Sequence, residues 1–153
     1  MILSTVSIIG KSAFRGCQQL ANIELCEGLE RIERFAFSCC ESLQSIWIPY
    51  TITSMGYSAF SSCGFIEFEV GKGLLKSLPS HAFSGCQSLW CIRIVSTREI
   101  GKSALSDCEK LEQVELCDGL ETIEVDAFSR CASLRHISIP STVFFINGGA
   151  FGC

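Results

Sequence analysis

Eleven cysteines and two histidines are the residues of this 153-residue chain with evident chemical potential. Their spacing decides between a disulfide scaffold, a metal centre and inert packing. Six of them, Cys17, Cys40, Cys63, Cys86, Cys108 and Cys131, each stand three residues after a Phe or Leu. No Cys-x-x-Cys pair occurs, and His81 and His136 lie far from any zinc-type spacing. A periodic column of this kind predicts reduced, buried thiols that pack as small hydrophobes. Stacked strands lie about 4.8 Å apart, near enough for bridging, yet equivalent side chains in a stack point the same way, not at one another. Nucleophilic catalysis needs a base and an orienting group brought to the nucleophile. His81 precedes an Ala-Phe pair and His136 falls in a strand-like stretch, so the two occupy different repeat positions without an evident partner. Gly71-x-Gly73 lacks the remainder of a phosphate-binding fingerprint. The sequence thus predicts no enzyme, no cofactor and no metal, and leaves thiol redox or metal binding as a remote alternative.

What positions these residues is a repeat. An Ala-Phe pair recurs at Ala13-Phe14, Ala36-Phe37, Ala59-Phe60, Ala82-Phe83, Ala127-Phe128 and Ala150-Phe151, with Ala104-Leu105 as the variant. The steps are 23, 23, 23, 22, 23 and 23 residues. A fixed period in this range is the mark of a solenoid, whose units bury their apolar faces only against their neighbours. Within one unit Phe14, Cys17 and Leu20 are three apart, as on a short helical or 3₁₀ turn, whereas Ile23 and Leu25 alternate with polar residues as in a half-buried strand. Ser12, Ser58, Ser103 and Asp126, just before the Ala-Phe pair, read as caps of that turn. The expectation is an α/β solenoid, a single domain over residues 1–153 of about six 23-residue repeats, starting and ending in mid-repeat. Bare ends predict fraying or end-to-end self-association, and suggest a fragment of a longer array.

Two copies are irregular. Between Cys63 and Val70 the strand motif arrives one residue early, and the stretch from Gly71 to Leu78 restores the spacing; the copy from Ile94 to Ile100 is one residue short. Both read as loop changes beside strands that stay in register. A longer period is superimposed: Ile9-Gly10-Lys11-Ser12-Ala13 returns as Ile100-Gly101-Lys102-Ser103-Ala104, 91 residues on, which points to duplication of a four-repeat block.

Net charge is −4 and the basic residues are scattered, so the electrostatic footprint of a nucleic-acid binder is missing. No apolar run reaches the length of a membrane span, which argues against membrane insertion. Met1 to Gly10 carries no leader-like pattern. Location stays open between the cytoplasm, favoured by these residues, and the cell surface if the chain is part of an adhesin-like protein.

The pattern Leu-x-x-Ile-x-Ile-Pro-x-x-Val-x-x-Ile-x-x-x-Ala-Phe-x-x-Cys, read from Leu134 to Pro140 and from Ile32 to Cys40, resembles the BspA-type leucine-rich repeat. The chain departs from it at Leu105, and at Cys26 and Cys117, which stand where Pro49 and Pro140 stand elsewhere. The resemblance implies a curved solenoid with a parallel sheet on the concave side, short helical or 3₁₀ segments on the convex side, and an interaction protein, often adhesive. In each strand the apolar pair must face the core, so the residue between projects from the concave face. That position reads Glu24, Trp47, Glu69, Arg93, Glu115 and Ser138, beside a second column of Asn22, Ser45, Glu67, Cys91, Gln113 and His136. Trp and Arg are enriched in binding hot spots. The candidate protein-binding residues are therefore Glu24, Trp47, Glu69, Arg93, Glu115 and His136, with a structural spacer as the alternative role.

Overall fold

A computed structural model of the chain describes residues 5–70 and 75–152. Residues 71–74, where the sequence places the compensating extra residue, and Ile2 and Cys153 lie outside them. The chain winds as a parallel β-solenoid of about six turns. Each turn contributes two short strands, so strands run in two lines. The first line comprises β2 (Asn22–Ile23), β4 (Ser45–Ile46), β6 (Glu67–Val70), β8 (Cys91–Ile94), β10 (Gln113–Leu116) and β12 (His136–Ile137). The second comprises β1 (Ile8–Ile9), β3 (Arg31–Ile32), β5 (Ser54–Met55), β7 (Ser77–Leu78), β9 (Glu99–Ile100), β11 (Thr122–Ile123) and β13 (Phe145–Ile146).

The third side of each turn is the Ala-Phe segment, and here the expected α/β character gives way to an all-β solenoid. No helix or 3₁₀ segment occurs among the described residues. The reason lies in the backbone. Ser12, Phe35, Ser58, His81, Ser103 and Asp126 all have φ between 51° and 59°, and so do not continue a right-handed helix. The amides of Ser12, Phe35, Ser58, His81 and Ser103 turn outward to the next repeat: Ser12 donates to the Arg34 carbonyl at 3.1 Å and Phe14 to Ala36 at 2.8 Å, while the alternate amides of Ala13 and Arg15 bond back, to Gly10 and Ser12. The residues read as helix caps are thus left-handed turn positions; an N-cap would be extended.

A ring ladder fills the interior behind these turns. Phe14–Phe37, Phe37–Phe60, Phe60–Phe83 and Phe128–Phe151 stack nearly parallel with centroids 5.0, 5.2, 5.6 and 5.1 Å apart. Leu105 takes the ring's place in one layer and is fully buried. The cysteine column lies alongside. Cys40, Cys63, Cys86, Cys108 and Cys131 are buried free thiols, and each donates its S–H to the spine carbonyl of the preceding repeat, at 3.0 to 3.3 Å. Cysteine suits this position because one side chain fills apolar volume and also gives a buried carbonyl a second donor. Cys17 departs from the expected burial: its thiol is exposed, because it lies on the first turn of the described stack.

Both strand lines lapse at one level. The first line divides into β2–β4 and a four-stranded sheet β6–β8–β10–β12; the second divides into β1–β3–β5 and β7–β9–β11–β13. In the first line the break follows the first irregular copy, so the expectation that strands stay in register through it fails; in the second, Pro79 has no N–H to give at the position where Gly56 and Gly101 donate to the turn before. Removing one residue after Cys63 draws the chain against the turn beneath, where a Cβ on Gly64 would run into the Glu41 carbonyl oxygen. The spine carries the stack across the break, with Phe37 donating to the Ala59 carbonyl at 2.8 Å and Ser38 Oγ 3.0 Å from Ser61 Oγ. Phe65 and Phe68 pack beside Phe60 and Phe83, centroids 4.5 to 6.2 Å apart, and plug the interior just beyond it. The second irregular copy behaves as the sequence implies: β9 still pairs in register with β7 and β11. Thr97 stands there at the buried position that Leu29, Ile52, Leu75 and Leu120 hold in other turns, and its hydroxyl has no hydrogen-bond partner among the described residues.

Candidate functional site

The position between the apolar pair of each first-line strand points outward, as the alternation requires. Glu24, Trp47, Arg93, Glu115 and His136 are exposed and Glu69 is half-buried, while Phe68, Val70, Ile92 and Ile94 beneath are buried. Glu69, Arg93 and Glu115 sit opposite one another in the parallel ladder. The Arg93 guanidinium meets Glu69 Oε2 at 3.4 Å through Nη1 and Glu115 Oε2 at 3.4 Å through Nε. These three form one charged row. His136 lies further along, in register with Gln113, its Nε2 3.4 Å from the Ser138 hydroxyl.

Trp47 and Glu24 do not join that ladder, because the sheet lapses between β4 and β6. Trp47 is 48% exposed and meets the ring of Tyr50 edge-on, with centroids 5.9 Å apart. Tyr50, itself 50% exposed, is a residue that column reading missed. It sits outside the strand motif, and its signal was only its place three residues after Trp47. Beside this pair the break opens a cleft of about 190 Å³. Ile46, Trp47 and Ile48 form one wall, Glu67, Phe68 and Glu69 the other, with the buried Ile52 and Leu75 also lining it.

The thiols have a different character. Burial pushes Cys86 up to about 12 and Cys108 well above the ordinary thiol range. Cys63 is raised by its hydrogen bond with Cys40, and burial adds to the rise. A thiol that is both buried and protonated is a poor nucleophile. Alkylation of the native protein at pH 8 is therefore expected to modify Cys17 and the half-buried Cys26, Cys39 and Cys117 but to spare Cys63, Cys86, Cys108 and Cys131; peptide mapping with and without denaturant checks this. Modification of Cys63, Cys86, Cys108 and Cys131 at the rate of Cys17 would contradict their role in packing. Among the described residues no group of three His, Cys, Asp or Glu side chains is placed to hold a metal ion, and no helix is long and apolar enough to cross a membrane.

The sequence pattern of the BspA type leucine rich repeat region matches six copies, over residues 1–70 and 43–153. The chain belongs to the BspA-type leucine-rich repeat family. Crystal structures of bacterial leucine-rich repeat proteins superpose closely. A leucine-rich repeat protein from Bacteroides ovatus ATCC 8483 is 29% identical with a TM-score of 0.87, covering 95% of this chain and 38% of its own. One from Eubacterium ventriosum ATCC 27560 is 28% identical with a TM-score of 0.88, covering 99% and 41%. The T. pallidum leucine rich repeat protein is 30% identical with a TM-score of 0.75, covering 86% and 62%. This BspA-type segment thus spans about two fifths of the length of the first two. No curated protein matches the sequence.

Proposed function

We propose that this BspA-type repeat segment is a non-catalytic protein-interaction module that binds through the outward face of its first strand line. What carries the reading is the exposed Trp47–Tyr50 pair, set beside a cleft and next to the Glu69–Arg93–Glu115 row. Large aromatics standing together beside a concavity, rimmed by charge, are the pattern of a binding hot spot and its surround. A spacer would need no such concentration. Glu24 and His136 flank the patch and extend it along the stack.

The test is recovery of partners from the native source by Trp47→Ala and Arg93→Ala, against Lys11→Ala as a control away from the patch. The two patch variants are expected to lose partners that the control retains. Equal recovery by all three would remove the patch from consideration. Loss of fold does not mimic the effect, because the Trp47 ring is about half exposed and the Arg93 ion pairs are partly exposed, each worth about 0.2–1 kcal/mol.

The terminal turns support a second contact. Ile8 is exposed at one end, and Phe144, 77% exposed, Phe145 and Ile146 at the other. The isolated 153-residue segment is expected to associate through these ends, with a sedimentation coefficient that rises with concentration and falls back in Phe144→Ser. A concentration-independent monomer would refute end association.

A further inference from the structure

The cleft beside Trp47 has a chemistry of its own. It exists because two consecutive strands, β4 and β6, face each other without a hydrogen-bonded ladder. Its volume of about 190 Å³ suits the end of one long side chain, since an engineered apolar cavity of about 150 Å³ holds benzene. The interior is apolar: Ile52 and Leu75 are buried, and Ile46, Ile48 and Phe68 supply hydrocarbon walls. The mouth is acidic. Glu67 and Glu69 stand on one side of it, and among the described residues no lysine or arginine lines the cleft. Arg93, one strand beyond, lies within 3.4 Å of both Glu69 and Glu115, so it does not neutralise Glu67, which makes no ion pair among the described residues. The opposite wall offers the π system of Trp47.

We propose that this cleft receives one lysine or arginine side chain of a partner protein, with the methylene stem against Ile46, Ile48 and Phe68 and the cationic head between Trp47 and the carboxylates of Glu67 and Glu69. The inference rests on the strand-face reading above and names the partner's anchor. Charge complementarity selects this occupant. A carboxylate would be repelled at the rim. A wholly aliphatic side chain would cover Glu67 and the Trp47 face with nothing to match them, which costs desolvation without return. A long basic side chain is apolar along its stem and charged only at its tip, as the cleft is apolar within and acidic at its mouth. Placing a cation over an indole adds attraction, most of all where water is partly excluded.

The experiment uses side-chain analogues as probes. Butylguanidinium and butylammonium, with 1-butanol and butyrate as controls, are titrated into isotope-labelled protein while the Trp47 indole N–H and the backbone amides of β6 are followed by NMR. The expected result is saturable shifts with the two cations alone, weakened about tenfold in Glu67→Gln, a change of about 1.4 kcal/mol. Glu67→Gln is chosen because it leaves the Arg93 ion pairs intact. Equal shifts with 1-butanol, no saturable shift with either cation, or an affinity indifferent to Glu67→Gln would each overturn the assignment. Partner recovery separates this from the broader reading. If Trp47→Ala abolishes recovery while Glu67→Gln leaves it unchanged, the strand face binds but the basic anchor is wrong. If the cations bind in a Glu67-dependent way while recovery ignores Trp47→Ala, the strand-face reading fails instead.

Discussion

Phe60→Ala should lower the unfolding free energy by about 3–5 kcal/mol, the range for truncating a buried aromatic. Phe60 is fully buried. Its ring stacks on Phe37 at 5.2 Å and on Phe83 at 5.6 Å, and touches Phe65 and Phe68 at 5.7 Å each. The contact with Phe37 crosses the level where, among the described residues, neither strand line is hydrogen-bonded, so the spine there stands in for the missing ladders. In a solenoid, stability is close to a sum of repeat and interface terms, and a weak interface transmits little to its neighbours. Loss of this ring should therefore reduce cooperativity as well as stability. Urea unfolding of Phe60→Ala against Phe14→Ala checks it: Phe14 is half-exposed on the first described turn and contacts a single ring of the ladder, so its truncation should cost much less. Equal midpoints for the two variants, or an unchanged midpoint for Phe60→Ala, would show that the spine does not carry the break.

How much of this was legible beforehand follows from which forces leave periodic marks. The spine, the cysteine column and the outward row Glu69–Arg93–Glu115 are set by burial repeated every turn, and burial writes itself into spacing; all three could be read from the Ala-Phe period. The backbone of the Ala-Phe segment could not. A three-residue spacing of Phe14, Cys17 and Leu20 fits a 3₁₀ turn, and the left-handed positions that exclude one are held by serine, phenylalanine, histidine and aspartate as well as glycine. What makes a left-handed turn tolerable at Phe35 or His81 is the outward hydrogen bond to the next repeat, Phe35 to the Tyr57 carbonyl at 3.0 Å and His81 to Lys102 at 2.9 Å. That compensation is a tertiary effect with no local signature. Thiol chemistry shows the same division: the column spacing gave packing, while the thiol bond to the spine carbonyl required knowing which carbonyl lies beneath. The candidate site was half legible. Trp47 and the charged row were found by column, but the cleft between them depends on a lapse in pairing that follows a one-residue irregularity, and that irregularity reads in the sequence as a loop change beside strands that stay in register.

Gly64 is where that irregularity becomes physical, and Gly64→Ala should be among the most damaging single-methyl additions in the chain. A Cβ there would overlap the Glu41 carbonyl oxygen, which is a backbone atom. The obstacle is not the far end of a flexible side chain, so relief requires the loop after Cys63 to lift away from the turn beneath. That loop is held by Cys63 Sγ donating to the Phe37 carbonyl at 3.1 Å and by Phe65, whose ring packs 4.7 Å from Phe68. Lifting it disturbs the same plug that supports the break. The expected cost is about 3 kcal/mol, at the upper end for overpacking. Gly10→Ala is the matched control: a Cβ at Gly10 meets nothing within 4 Å and its φ is not left-handed, so it should be neutral or slightly stabilising. Because the wall of the cleft formed by Glu67, Phe68 and Glu69 follows this loop directly, Gly64→Ala should also weaken butylammonium binding, whereas Gly10→Ala should leave it unchanged. Thermal denaturation of the two variants side by side settles the matter, and equal melting temperatures would mean that the short loop has room the close approach to Glu41 denies.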